Sequence, residues 1–254
     1  MSYLKSLAPE GLVRLLEYKK RFASMGLPGS NCLKRSYRKA VDITNLNMLP
    51  AEIRNNLKCV VDVGANVGEW STGVALLTKA PKIIAFEPVP HIFRELVTNT
   101  RDYPQIECIN SALGSKPGQV DMFVERLHKL SSILPIRDEL RPVHGIAEDK
   151  PQTVSVPLQT LDNALSREDE ISLLKLDVQG YEPEVLAGGR AVLQRTRVLI
   201  TEVVYVPYYQ GDVQFGTLHN QITSLAPFKL YGISAPSCTA DGQPMWADAI
   251  YIQN

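Results

Sequence analysis

Six ionisable side chains stand where they could do chemistry: Asp62, Glu87, Lys175, Asp177, Glu182 and Glu202. Asp62 lies inside the β-branched run Val60-Val-Asp-Val63, and Gly64 and Gly68 bracket the turn that follows. Glycine lets a backbone bend sharply and lets another group approach closely, here expected to be a ligand. A dinucleotide fingerprint places a glycine in the middle of such a turn so that a pyrophosphate can come near. This chain has Asn66 there, a bulky polar residue that disfavours a pyrophosphate. Glu87 ends the next apolar run, Ile83-Ile-Ala-Phe86, and is followed by Pro88; it lies 25 residues after Asp62, near the ~20 at which an acidic residue meets ribose hydroxyls. With Asp62 facing an ammonium group, directly or through water, and Glu87 on a ribose, the spacing predicts S-adenosylmethionine as cofactor. No G-x-x-x-x-G-K-[ST] phosphate loop occurs. Further along, Lys175 and Asp177 alternate with Leu174, Leu176 and Val178. Both then point the same way from a strand, and burying them unpaired would be costly. They are expected to pair with each other or to line the pocket.

Residues of this kind need strand ends to hold them. From Cys59 onward the pattern alternates strand and helix, which is the signature of a parallel sheet. It predicts strands near 59–63, 82–87, 105–109, 171–177 and 197–202, and helices at about 67–79, 90–101 and 181–194. Two more strand-like runs, 119–124 and 153–158, flank an irregular stretch at 125–152. That stretch carries His128, Ser131, Ser132 and His144 and has the length of a substrate lid. The tail, about 226–232 and 246–253, reads as a closing pair of strands. Residues 1–50 read as an N-terminal helical extension, with Leu12, Leu15, Leu16 and Phe22 on one face and a second helix at about 37–48. Residues 51–254 read as the nucleotide-binding domain.

Composition narrows the choices. Basic and acidic residues number 27 each, so no overall field recruits nucleic acid. Residues 1–40 nonetheless hold nine basic side chains against Glu10 and Glu17. The readings left open for this arm are a solvated extension or a peripheral contact with an anionic partner or membrane surface. Cys32, Cys59, Cys108 and Cys238 are far apart with no C-x-x-C, which disfavours a zinc site or a disulfide framework and fits a cytoplasmic setting. No apolar run reaches the length of a secretory signal core or a membrane span. The oligomeric state is open, a homo-oligomer included.

The motifs quoted so far, continued by Asn110-Ser-Ala-Leu-Gly114, the Ser131-Ser132 pair, Thr160-Leu-Asp162, Lys175-Leu-Asp-Val-Gln-Gly-Tyr-Glu182 and Ala247-Asp-Ala-Ile-Tyr251, resemble the FkbM family of S-adenosylmethionine-dependent methyltransferases. The resemblance runs over about 58–253 and leaves the extension uncovered. It implies an α/β class I methyltransferase fold, with a seven-stranded, mostly parallel Rossmann-like sheet whose last strand is antiparallel. It also implies O-methylation of a hydroxyl on a sugar, glycan or secondary metabolite. Asn110, Ser111 and Ala112 are then expected near the adenine, and Ser131 and Ser132 near the acceptor. The family position that is often Glu is Gln179 here.

For transfer to a hydroxyl, Asp177 is the first candidate base or orienting group. Lys175 would hold that carboxylate ionised, or act itself if burial lowers its pKa. Glu182 faces the pocket or stabilises a helix start. Gln179, Glu202, Tyr205 and Tyr208 complete the expected acceptor side, with His128 as a further base candidate. Asp177 with Glu202 is an alternative pair for a divalent cation, although no metal is assigned. The competing functions are a non-catalytic cofactor-binding assembly or regulatory subunit, favoured by the basic arm, and N-methylation of a peptide or protein.

Overall fold

The computed structural model describes residues 44–142, 145–146, 150–239 and 241–253. The first amphipathic helix, the basic arm, Cys32 and His144 lie outside the described residues. Within them, α1 (Thr44–Met48) and α2 (Ala51–Asn55) lead into β1 (Cys59–Val63), α3 (Glu69–Leu77), β2 (Lys82–Phe86), α4 (Pro90–Thr100) and β3 (Ile106–Ile109). Next come β4 (Ala112–Leu113), β5 (Gly118–Val124), β6 (Gln152–Gln159), α5 (Leu161–Ala164) and β7 (Leu173–Leu176). The chain closes with α6 (Glu182–Ala187), α7 (Arg190–Gln194), β8 (Val198–Val204), α8 (Phe215–Leu225), β9 (Lys229–Ile233), β10 (Ser237–Cys238) and β11 (Pro244–Ile252).

The main sheet runs β3-β2-β1-β7-β8-β11, with β9 and the two-residue β10 both on β11. Strands β1, β2, β3, β7 and β8 are parallel, and β11 is antiparallel to β8, β9 and β10. This is the expected Rossmann-like methyltransferase sheet, ending in an antiparallel hairpin. The runs at 119–124 and 153–158 pair with each other in a separate three-stranded sheet, β4-β6-β5. Its inner face packs through Met122, Val124, Val156 and Leu158 against Val89 and Ile92.

Strand alternation divides the core. Val61, Val63, Ile84, Phe86, Leu174, Leu176 and Leu199 bury one face under α6, α7 and α8. Val60, Ile83, Leu173, Ile200 and Ile250 bury the other, with Trp70 and Val74 of α3, Leu46 of α1, Ile53 of α2 and Leu49 between those two helices. The helix expected over 181–194 is instead two, interrupted at Gly188 and Gly189. A side chain on Gly188 would stand 2.0 Å from the Gly114 carbonyl oxygen, so the chain turns where backbone meets backbone.

Candidate functional site: a cavity over the carboxyl ends of the parallel strands

Beyond the apolar rows of the second face, the same alternation puts polar groups at the strand ends. Asp62 is the register partner of Lys175, and Asp248 of Glu202. Asp177, two residues past Lys175, shares its direction. These residues line a cavity of about 860 Å³, with Gly64, Asn66, Glu87, Pro88, Ser111 and Ala112 at one end and Ser131, Gln179, Tyr208 and Tyr209 at the other. Such a volume suits a cofactor and a small acceptor together.

The glycine turn borders the cavity at Gly64 and also makes close chain contacts. Gly64, at φ +85°, lies under the end of β7: a Cβ there would stand 1.9 Å from the Asp177 carbonyl oxygen. Gly68, at φ +83°, would meet Leu96 of α4 at 2.7 Å and is not part of the cavity wall. This close approach of β1 to β7 brings Asp62 and Asp177 to either side of one ammonium. Lys175 Nζ donates to Asp177 Oδ2 at 2.8 Å and lies 3.9 Å from Asp62 Oδ1. It also sits 5.6 Å from the centre of the Trp70 ring.

Asp62 is fully buried. Its Oδ2 accepts from Ser71 Oγ at 2.6 Å, whereas Oδ1 has no hydrogen bond. A buried oxygen left unpaired is costly, and this one belongs to a residue of the cavity wall. Glu87 has both oxygens engaged, Oε2 by the Asn66 N–H at 3.0 Å and Oε1 by the Val89 N–H at 2.9 Å. Each oxygen keeps a second acceptor site open. Burial lifts its pKa to about 7, against the pull of these two bonds. Asn66 takes a left-handed conformation, φ 50°, which aims its N–H at Glu87.

On the acceptor side, burial alone would lower the Lys175 pKa, but the Asp177 and Asp62 carboxylates raise it above its ordinary value. The two carboxylates thus favour the charged form of Lys175 and work against the lowered pKa that a role as base would need. The same pair works on Asp177. Burial raises its pKa, but the Lys175 charge, together with bonds from Lys175 and Gln179, holds it below the ordinary carboxylate range.

Gln179 has φ 57°, unusual for a residue with a side chain, and three bonds hold it there. Its Nε2 donates to Asp177 Oδ1 at 2.7 Å, its Oε1 accepts from Tyr209 Oη at 2.8 Å, and its carbonyl accepts from Ser132 Oγ at 2.7 Å. Ser132 thus supports the site from behind the wall. Glu182 also lies behind it, accepting the Val178 N–H at 2.9 Å, with burial lifting its pKa to about 7. Asn110 braces the backbone, donating to the carbonyls of Glu87 and Pro88. Tyr205 is 39% exposed and does not reach the cavity.

The stretch after β5 closes over the acceptor end. Leu130, Ser131 and Ile133 reach the cavity, as do His128 and Lys129. Arg141 clamps this stretch through Glu125, at 2.8 Å and 3.3 Å, and Ile136 pairs with Tyr209. Two contributors were not foreseen from sequence, Asn45 and the segment 234–237. Asn45 joins Trp70 to Asp248 by accepting from Nε1 at 3.2 Å and donating to Oδ2 at 3.0 Å. Tyr209 locks Gln179, and Ser234–Ser237 form part of the wall. The motif containing Asp248 was visible, but its pairing with Glu202 depends on an antiparallel register. Among the described residues no group of three or more His, Cys, Asp or Glu is placed to hold a metal ion. No helix among them is long and apolar enough to cross a membrane.

Sheet order, antiparallel closing hairpin and strand-end cavity together define the class I S-adenosylmethionine methyltransferase fold, and the cofactor of this domain is S-adenosylmethionine. The chain belongs to the Methyltransferase FkbM domain family, which it matches over residues 62–227. It is 25% identical over 163 residues to the 2-O-methyltransferase NoeI of Sinorhizobium fredii, an overlap of 61% of this chain and 66% of that protein. A second relative is the AMB antimetabolite synthetase AmbE of Pseudomonas aeruginosa, 27% identical over 174 residues. There the overlap is 57% of this chain but 8% of the synthetase. The crystal structure of an FkbM methyltransferase from Methylobacillus flagellatus superposes with a TM-score of 0.52 at 18% identity. It covers 79% of this chain and 44% of that one. The chain thus spans less than two thirds of the length of each.

Proposed function

We propose that this chain transfers the methyl group of S-adenosylmethionine to a hydroxyl of a small acceptor, a sugar or a secondary metabolite. The observation that carries it is the polar row Asp62–Lys175–Asp177 on the floor of a cavity that Glu87 bounds at its far end. The open oxygen of Asp62 suits the cofactor's ammonium, and the spare acceptor sites of Glu87 suit the two ribose hydroxyls. Ser111 and Ala112 border the space left for the adenine. When bound, the sulfonium supplies the electrophilic methyl group.

The protein's part is alignment, which can contribute ~7–11 kcal/mol. Asp177 keeps 37% side-chain exposure and is held ionised by Lys175, so it can accept a hydrogen bond from an incoming hydroxyl and fix its direction. Ser131, Ile133 and Tyr208 wall that end and exclude water. The name of the relative NoeI, a 2-O-methyltransferase, favours a hydroxyl acceptor. Residues 1–50 are proposed as an extension to a catalytic domain that begins at about residue 51, an extension whose described end, from residue 44, packs onto that domain and reaches the cavity.

Titration calorimetry with S-adenosylmethionine and with NAD tests the cofactor half: the former should bind and the latter should not. Transfer of labelled methyl to a panel of methyl glycosides tests the acceptor half. Binding of NAD alone would end the proposal.

A further inference from the structure

Six carboxylates border the cavity: Asp62, Glu69, Glu87, Asp177, Glu202 and Asp248. Five have partners in the protein. Ser71 bonds Asp62, Lys129 pairs with Glu69, two backbone N–H groups hold Glu87, Lys175 and Gln179 hold Asp177, and Asn45 holds Asp248. The carboxylate of Glu202 receives no hydrogen bond from any described residue.

Its position explains the difference. Glu202 sits on β8 opposite Asp248 of β11, and β7 on its other side ends one residue before Asp177. Asp177, Glu182 and Asp248 act on it with like charge, and Lys175 opposes them. The phenols of Tyr208 and Tyr209 lie close enough to feel its charge. Burial first, then these three carboxylates, favours its protonated form. Such a group does little for stability, since a desolvated carboxyl among like charges opposes folding when ionised. It does have what Asp177 lacks, namely an unengaged carboxylate with high proton affinity on the same cavity.

We propose that Glu202 is a catalytic residue that receives the proton of the acceptor hydroxyl, while Asp177 orients that hydroxyl without taking its proton. The proposal rests on the methyltransferase reading above. In the step, a lone pair of the hydroxyl oxygen forms the bond to the methyl carbon, the carbon–sulfur pair leaves with the sulfur, and the O–H proton passes to the Glu202 carboxylate. General bases work best when their proton affinity matches the operating pH, and the surroundings of Glu202 tune it in that direction.

Glu202→Gln keeps the shape and removes the base. With any methyl glycoside the wild type turns over, it should lower kcat by ~10²–10⁴ and abolish the acid limb of the kcat profile. The affinity for S-adenosylmethionine should stay within about twofold and the melting temperature should not fall. Asp177→Asn should instead raise KM. Difference infrared spectroscopy of the S-adenosylhomocysteine complex needs no acceptor. Among the carboxyls still protonated above the ordinary carboxylate range, it should show one that is present in the wild type and lost in Glu202→Gln. A Glu202→Gln enzyme with kcat within about threefold of wild type, or a Glu202 that titrates as an ordinary carboxylate, overturns the proposal. In those cases normal cofactor binding leaves the methyltransferase reading standing. Wild-type protein that fails to bind S-adenosylmethionine sinks both.

Discussion

Gln179 shows how much one amide can decide. It donates to Asp177 and accepts from Tyr209 at once, which an ionised glutamate could not do, because a carboxylate only accepts. Gln179→Glu is therefore expected to place a second negative charge on Asp177 and to weaken both the orientation of the acceptor and the left-handed turn. Steady-state kinetics should show a raised KM for the acceptor, with a destabilisation of ~1–3 kcal/mol in chemical denaturation. Asp62→Ala removes a buried oxygen left open in the cavity wall and should weaken S-adenosylmethionine binding by about tenfold or more. Calorimetry that finds unchanged affinity would refute the ammonium contact.

The site depends on two elements meeting end to end. Strands β1 and β7 close upon each other because Gly64 has no side chain, and only then can Lys175 span Asp62 and Asp177. Gly64→Ala should force the strands apart and cost on the order of 3 kcal/mol, measurable as a lowered denaturation midpoint with cofactor binding lost in parallel. Lys175→Met should also cost about 3–5 kcal/mol, since it leaves the buried Asp62 and the partly exposed Asp177 without their counter-charge. The stretch after β5 has its own fastening, the Glu125–Arg141 pair, with side-chain exposures of 1% and 12%. Arg141→Ala should loosen that wall. Proteolysis within 126–142 should speed up while cofactor affinity, set at the other end of the cavity, holds.

Across the whole molecule, buried carboxyls set the response to pH. Burial lifts Glu87 and Glu182 to about 7, whereas in the unfolded chain a glutamate titrates near ~4.3. Between those values the folded protein binds more protons than the unfolded one, so stability falls as pH rises through the window and levels off above it. The effect is on the order of 3 kcal/mol for each group. Asp62, Asp248 and Glu202 are shifted in the same sense. Asp177, shifted downward, acts in the opposite sense and only at lower pH. The cofactor-free protein should therefore melt at a higher temperature at about pH 5 than at about pH 8. Glu87→Gln and Glu182→Gln should each flatten that slope.

The sequence by itself determined the periodicity: which runs are strands, that Lys175 and Asp177 share a face, and that Asp62 and Glu87 end neighbouring strands. These follow from local sterics and from a two-residue repeat, both written in the order of residues. It also carried the family resemblance, because the motifs lie at strand ends and can be read one at a time. The tertiary structure alone decided who touches whom across the sheet. Gly64 meets the Asp177 backbone, Asp248 comes opposite Glu202, Asn45 reaches Trp70, and Tyr209 holds Gln179. It likewise decided charge: Asp177 and Asp62 raise the pKa of Lys175, and burial with Asp177, Glu182 and Asp248 raises that of Glu202, through neighbours distant in sequence. Coulomb interactions and desolvation depend on distance in space, and no spacing along the chain contains that distance.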